Sequence, residues 1–319
     1  MKLTNIKNEI RRLLLGSFLI FIIMGITVSD CYASSDAEPQ SMPLILDPLF
    51  EYVEAPDDLP DLQSRTDYLM DNFWNPFDFN VKTAVDQHAL NHAFAVYAQA
   101  MPFASEKKVF SSVKNLINKI KGNPVLSYQF TKAAEESLFG PRADFWSDEI
   151  YMEFLETLLQ DKKIDESKKK KYRDQYALLK GSSLGATFPK MKVTNLLGTE
   201  TEMNLSRPYT LLEITTPNNE DFRYTNLKLD ISSFINEKID NEELDVNILF
   251  LCEKLPDLNY PEKWNIYSSD NIKENLDIRT NPCFYVIDSN KKIIGKNLAV
   301  DDAIELLEAL MSNRKAKKK

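Results

Sequence analysis

Three short, mostly apolar runs set the strongest limit on how this chain can fold: Tyr209–Ile214, Val246–Leu251 and Cys283–Ile287. Runs of five or six such residues bounded by turn formers read as buried strands, being too short for free-standing helices. A helical pattern follows the first run, from about Glu220 to Ile239, and a loop with a short helix follows the second. After the third come the turn Ser289-Asn290, a strand over Lys292–Lys296, and an amphipathic helix over Asp301–Met311 with Ile304, Leu307 and Leu310 facing in. Upstream, a hairpin is expected around Leu197-Gly198-Thr199. The order is β-hairpin, β, α, β, α, β, β, α. It predicts an α/β domain over residues 181–319, a mixed sheet with helices on both faces and an antiparallel final pair.

The texture before residue 181 is different. Residues 66–180 carry a helical period, which predicts an all-α domain. One helix is expected over Val81–Met101, stopped by Pro102, and a second from the N-cap Ser105, with Val109, Val113, Leu116, Ile117 and Ile120 on one face. Asn123-Pro124 opens a third, with proline at the first helical position, where its missing N–H costs nothing. A fourth begins at Ser147, where Asp148 and Glu149 complement the helix dipole, and a fifth covers about Glu166–Leu179. Residues 34–65, rich in Asp, Glu, Pro and Ser, read as a linker or arm that docks by patches such as Leu44-Ile45-Leu46 and Leu49-Phe50.

The first 33 residues read as an export signal. Lys2, Lys7, Arg11 and Arg12 precede the apolar stretch Leu13–Ile26, which is short for the ~30 Å hydrocarbon core of a bilayer. Cleavage before Ser34 leaves Cys31 and Ala33 at the small-residue positions, and the expected location is the periplasm or cell envelope with no integral span. The competing reading, a lipid on Cys31, fits the preceding Val28 and Asp30 poorly. The net charge of −9 becomes more negative once that basic segment is gone, which argues against nucleic acid as a partner. Eight glycines in 319 residues, with no GxGxxG, Walker loop or GxSxG, argue against nucleotide enzymes and α/β-hydrolases.

Local motifs add a resemblance. Gly185-Ala186-Thr187-Phe188-Pro189, Trp264 in Pro261-Glu262-Lys263-Trp264, and Thr280-Asn281-Pro282-Cys283 ahead of Phe284–Asp288 resemble the exported thioredoxin-like proteins of the TlpA/ResA type. Asp71–Phe79 and Glu149–Leu155 are similar to a helical domain of unknown function that precedes such domains. The resemblance implies that Pro282 is the family's cis-proline and that a peptide-binding groove runs beside it. It also locates the dithiol, and there the chain departs: Thr216-Pro217-Asn218-Asn219-Glu220-Asp221-Phe222 puts Asn219 and Phe222 where the two cysteines should stand. Thiol-disulfide exchange needs a thiolate and a resolving thiol, and neither residue supplies one.

The expected site is therefore a binding groove of Pro217, Asn218, Asn219, Glu220, Asp221, Phe222, Asn281, Pro282 and Cys283, its ligand a protein or peptide taken by main-chain hydrogen bonds. The alternative is an enzyme using Cys283 as a lone exchanging thiol, although an apolar strand favours a buried one. A further alternative places the interaction in the helical domain of a structural envelope protein. Cys252 and Cys283 sit on strands expected to flank a third, which disfavours a disulfide between them. His88 and His92 share a helix face at i, i+4 but lack the glutamate of HExxH, so a polar face is the better reading and no metal or cofactor is expected. Phe73, Trp74, Phe77 and Phe79 are read as core, and Lys168–Lys171 as a solvated face.

Overall fold

The computed structural model describes residues 48–140, 143, 146–270 and 272–317, with side chains to residue 312. The predicted signal, its cleavage site and Cys31 lie outside the described residues. Two compact units meet in sequence between Tyr176 and Ala177.

The first unit is helical: α1 (Leu62–Asn72), α2 (Gln87–Ala100), α3 (Glu106–Ile120), α4 (Pro124–Leu138), α5 (Asp148–Gln160) and α6 (Glu166–Gly181), the last running across the division. Asp61, Asp86 and Asn123 cap α1, α2 and α4 by accepting from backbone N–H groups of the first turns. Ser105 stands at the head of α3, but its N–H and hydroxyl donate to the Asp67 carboxylate (2.6 and 2.9 Å) instead of its side chain capping the helix. The helix expected from Val81 starts only at Gln87. The backbone before it is claimed by another element, since the Gln129 amide accepts from Val85 N–H and donates to Val85 C=O (3.1 and 2.7 Å).

The core of this unit is aromatic, as expected for Phe73, Trp74 and Phe77. Trp74 lies 5.1 Å from the Phe130 ring and 5.5 Å from Tyr97, and Phe94 lies 5.4 Å from Phe154. The segment expected to be a linker belongs to this packing. Phe50 meets Trp74 edge-on at 5.6 Å, and Tyr52 stacks on Phe73 at 5.5 Å. Helix α1 begins inside the same stretch; its polar sequence buries only Thr66 and Met70, which hid it from a search for apolar periodicity. Lys169, expected in solvent, is buried beside Glu166 (3.2 Å), while Lys171 reaches Glu135 (2.7 Å).

The second unit holds β1 (Lys192–Asn195), β2 (Glu200–Glu202), β3 (Tyr209–Thr215), α7 (Glu220–Ile231), α8 (Ser233–Asp240), β4 (Leu244–Leu251), β5 (Asn265–Ser269), β6 (Cys283–Asp288), β7 (Ile293–Leu298) and α9 (Val300–Lys317). The strands form one mixed sheet in the order β2-β1-β5-β4-β3-β6-β7, with β3, β4 and β5 parallel and β6 and β7 antiparallel. The hairpin forms where expected, with Gly198 at φ +72° in its turn, a conformation glycine adopts without a Cβ clash. Helices α7, α8 and α9 bury Phe222, Leu229, Ile235, Ala303 and Leu307 on one sheet face. The other face is covered by Phe188, Met191, Met203 and a 3-10 turn at Ile272–Glu274.

Two expectations need correction. Strand β5 was not foreseen, because only Ile266 and Tyr267 in Asn265–Ser269 are strongly apolar. They alternate into the two opposite cores, and pairing on both edges makes the strand. The single helix expected over Glu220–Ile239 breaks at Ser232, whose extended backbone ends α7 and whose hydroxyl caps Ile235 N–H of α8 (3.3 Å).

Candidate functional site

The groove residues come from two connections at one end of the sheet. Strand β3 delivers Thr216-Pro217-Asn218-Asn219 into the start of α7, and the loop before β6 delivers Asn281 and Pro282 beside it. The Asn281–Pro282 peptide is cis. Asn219 is the hinge of the arrangement. Its Oδ1 accepts from Asp221 N–H (2.8 Å), capping α7, and its Nδ2 donates to the Asn281 carbonyl (2.6 Å). Asn281 answers in kind: its Oδ1 accepts from Thr216 N–H (3.1 Å), and its Nδ2 donates to Thr216 Oγ1 (2.8 Å). Three side-chain hydrogen bonds thus stitch the two loops together, and a fourth caps α7.

Asn218, Glu220 and Asp221 are exposed and Pro217 is half-buried. Phe222 and Cys283 are not, and here the structure corrects the expectation that they line the groove. Phe222 is buried against Phe250 at 5.0 Å on one sheet face, and Cys283 is wholly buried on the other. The Cys283 thiol bonds Asn297 Oδ1 (3.2 Å), and burial first, with Asp277 adding to it, pushes its pKa up to about 12. The thiolate, the nucleophilic form, is disfavoured there. Cys252 is free as well, half-buried after β4, and β3 lies between it and Cys283.

Two buried acids nearby were not singled out from the sequence. Asp277 anchors the loop that leads to Pro282. It accepts from Arg279 Nη2 and Lys296 Nζ (both 2.7 Å) and from Asn297 Nδ2 (3.2 Å), while its N–H donates to Ser182 Oγ (3.1 Å). Tyr285 OH closes the knot by donating to Asp277 C=O (2.6 Å). Glu213, in the middle of β3, is the opposite case. One of its oxygens accepts from Thr225 Oγ1 (2.7 Å), the other has no partner among the described residues, and burial raises its pKa to about 8. The available signal was a lone acid inside an otherwise buried run.

His88 and His92 are exposed on α2, and His92 Nδ1 is hydrogen-bonded to Tyr52 OH (2.9 Å). Among the described residues, no group of three His, Cys, Asp or Glu is placed to hold a metal.

A thioredoxin-like protein from Bacteroides caccae superposes over 82% of this chain and 99% of its own, at 18% identity and a TM-score of 0.66. The C-terminal unit has the thioredoxin-like fold. It follows an all-α unit, and residues 28–182 match the model of a domain of unknown function, DUF5106. Two further solved structures match about 40% of this chain. One is a conserved protein of unknown function from Bacteroides fragilis (21% identity, 99% of its chain, TM-score 0.37), the other the thioredoxin domain of a thiol-disulfide oxidoreductase from Bacteroides vulgatus (15%, 97%, 0.32). No curated protein matches.

Proposed function

We propose that this chain is an exported, redox-inactive thioredoxin-like protein that binds an extended polypeptide in the groove beside Pro282. The observation that carries the reading is the fate of the two dithiol positions. Asn219 is committed to capping α7 and bridging to Asn281, and Phe222 is a core ring. A scaffold that keeps the cis-proline loop and replaces both reactive groups by structural ones retains a recognition surface without its chemistry. The exposed edge supports this: the Asn281 N–H has no partner among the described residues and stands ready to donate to a strand-like ligand. The envelope location rests on residues 1–33, with a lipid on Cys31 as the lesser variant. Among the described residues no helix is long and apolar enough to cross a membrane.

The test uses pre-reduced residues 34–319, which include every described residue, against a model protein disulfide, with Cys283→Ser and Cys252→Ser alongside. The expected rate is that of a simple thiol, unchanged by either substitution. A faster rate lost only in Cys283→Ser would replace this reading by the one-thiol enzyme. Binding is tested with a displayed library of extended peptides. Enriched sequences should lose affinity in Asn218→Trp, which fills the groove, and a library that yields none counts against the groove.

A further inference from the structure

Helix α7 is apolar on two sides. Its inner face buries Phe222, Thr225 and Leu229. Its outer face carries Tyr224, Leu227 and Ile231, which are 61%, 58% and 70% exposed. At 3.6 residues per turn, steps of three and four put these three side chains in one stripe along the helix. Three of the eight large apolar side chains left exposed in the described residues cluster here, and such a contiguous stripe signals an interface. The stripe is also held in place. Lys228 donates to Tyr224 OH (3.2 Å), lies 5.3 Å from its ring centre, and pairs with Asp301 of α9, so Tyr224 is presented as a fixed anchor.

The charges beside the stripe identify the occupant. Arg223 stands four residues before Leu227 and Asp230 three residues after it, on the same flank of the helix. Both are exposed, and neither makes an ion pair among the described residues. When two copies of α7 are laid antiparallel about a two-fold axis near Leu227, Arg223 of one meets Asp230 of the other, twice over. A heterologous partner would have no reason to find this self-matching pattern, whereas an isologous interface requires it.

We propose that the outer face of α7 is the seam of an antiparallel homodimer, closed by Leu227 and Ile231 and flanked by two Arg223–Asp230 pairs. A seam built on one helix falls below the ~800 Å² per partner of a standard interface, so the dimer is a weak one. The proposal is independent of what the groove binds.

The experiment is sedimentation equilibrium of residues 34–319 over a wide concentration series. Circular dichroism of each variant checks that these exposed positions leave the fold intact. The expected result is a concentration-dependent dimer that Leu227→Glu abolishes. Arg223→Asp should weaken it about tenfold, by turning two attractive rim pairs repulsive, and Arg223→Asp/Asp230→Arg should restore it. A monomer throughout the series, a dimer indifferent to Leu227→Glu, or a double variant no tighter than Arg223→Asp would overturn the proposal.

Discussion

Asp277 and Glu213 are both carboxylic acids buried in the sheet unit, yet they have opposite surroundings. Asp277, in the loop before β6, meets a guanidinium, an ammonium and an amide, and its own backbone is bonded at both ends. Glu213, within β3, has one hydroxyl donor and a second, buried oxygen with no partner among the described residues. Burying a charge is costly unless partners replace the lost water. The first acid is therefore held as a junction on which the cis-proline loop depends. The second is held as a neutral acid whose proton is part of the fold. What separates them is the number of donors that neighbouring elements bring, not depth.

The comparison can be broken in three places. Asp277→Ala should have the largest effect, a loss of about 3–5 kcal/mol, because two buried cations lose their shared carboxylate. Chemical denaturation of the sheet unit measures it, and unchanged stability would show that Asp277 is no junction. Glu213 comes next, through pH. Its folded-state pKa of about 8 lies above the ordinary 4.5, so the folded state holds the extra proton. Its contribution is fully present below about pH 4.5, is lost as pH rises through 8, and is level above that. Glu213→Leu should remove this slope, leaving the variant steadier than the parent by about 2–4 kcal/mol at pH 9. Opening free energies of β3 amides, from hydrogen exchange in both proteins, provide the readout. Equal slopes would mean that Glu213 is already charged in the folded chain. The smallest effect is expected for Thr225→Val, about 1 kcal/mol at neutral pH, with the pH-dependent loss extending above 8, since the hydroxyl is the one group that lowers the Glu213 pKa. A shift toward lower pH would reverse the assigned role.

Much of the architecture was legible in the sequence because the signals were local. Asn123-Pro124 opens α4 by capping chemistry, and the runs ending at Ile214, Leu251 and Ile287 are strands because length and apolar content leave little else. Strand β5 was not legible, since Ile266 and Tyr267 gain their meaning only from β1 and β4 on either side. Helix α1 was missed because its burial depends on two residues. The pairing of the Thr216–Asn219 turn with Asn281 followed from the resemblance, whereas the inward turn of Phe222 and Cys283 depended on packing from both sheet faces. The Asp277 knot joins Ser182, Tyr285 and Lys296 from separate parts of the chain, a coincidence that spacing does not encode.

The ring at position 222 limits what can be substituted there. A cysteine placed there would empty the space beside Phe250, and removing a buried phenylalanine costs about 3–5 kcal/mol. A cysteine at 219 would in turn release both the cap of α7 and the bridge to Asn281. A dithiol could not be installed at positions 219 and 222 by two codon changes alone without compensating changes in the core. Core packing at position 222 and the double role of Asn219 thus resist, from two different directions, the same pair of substitutions.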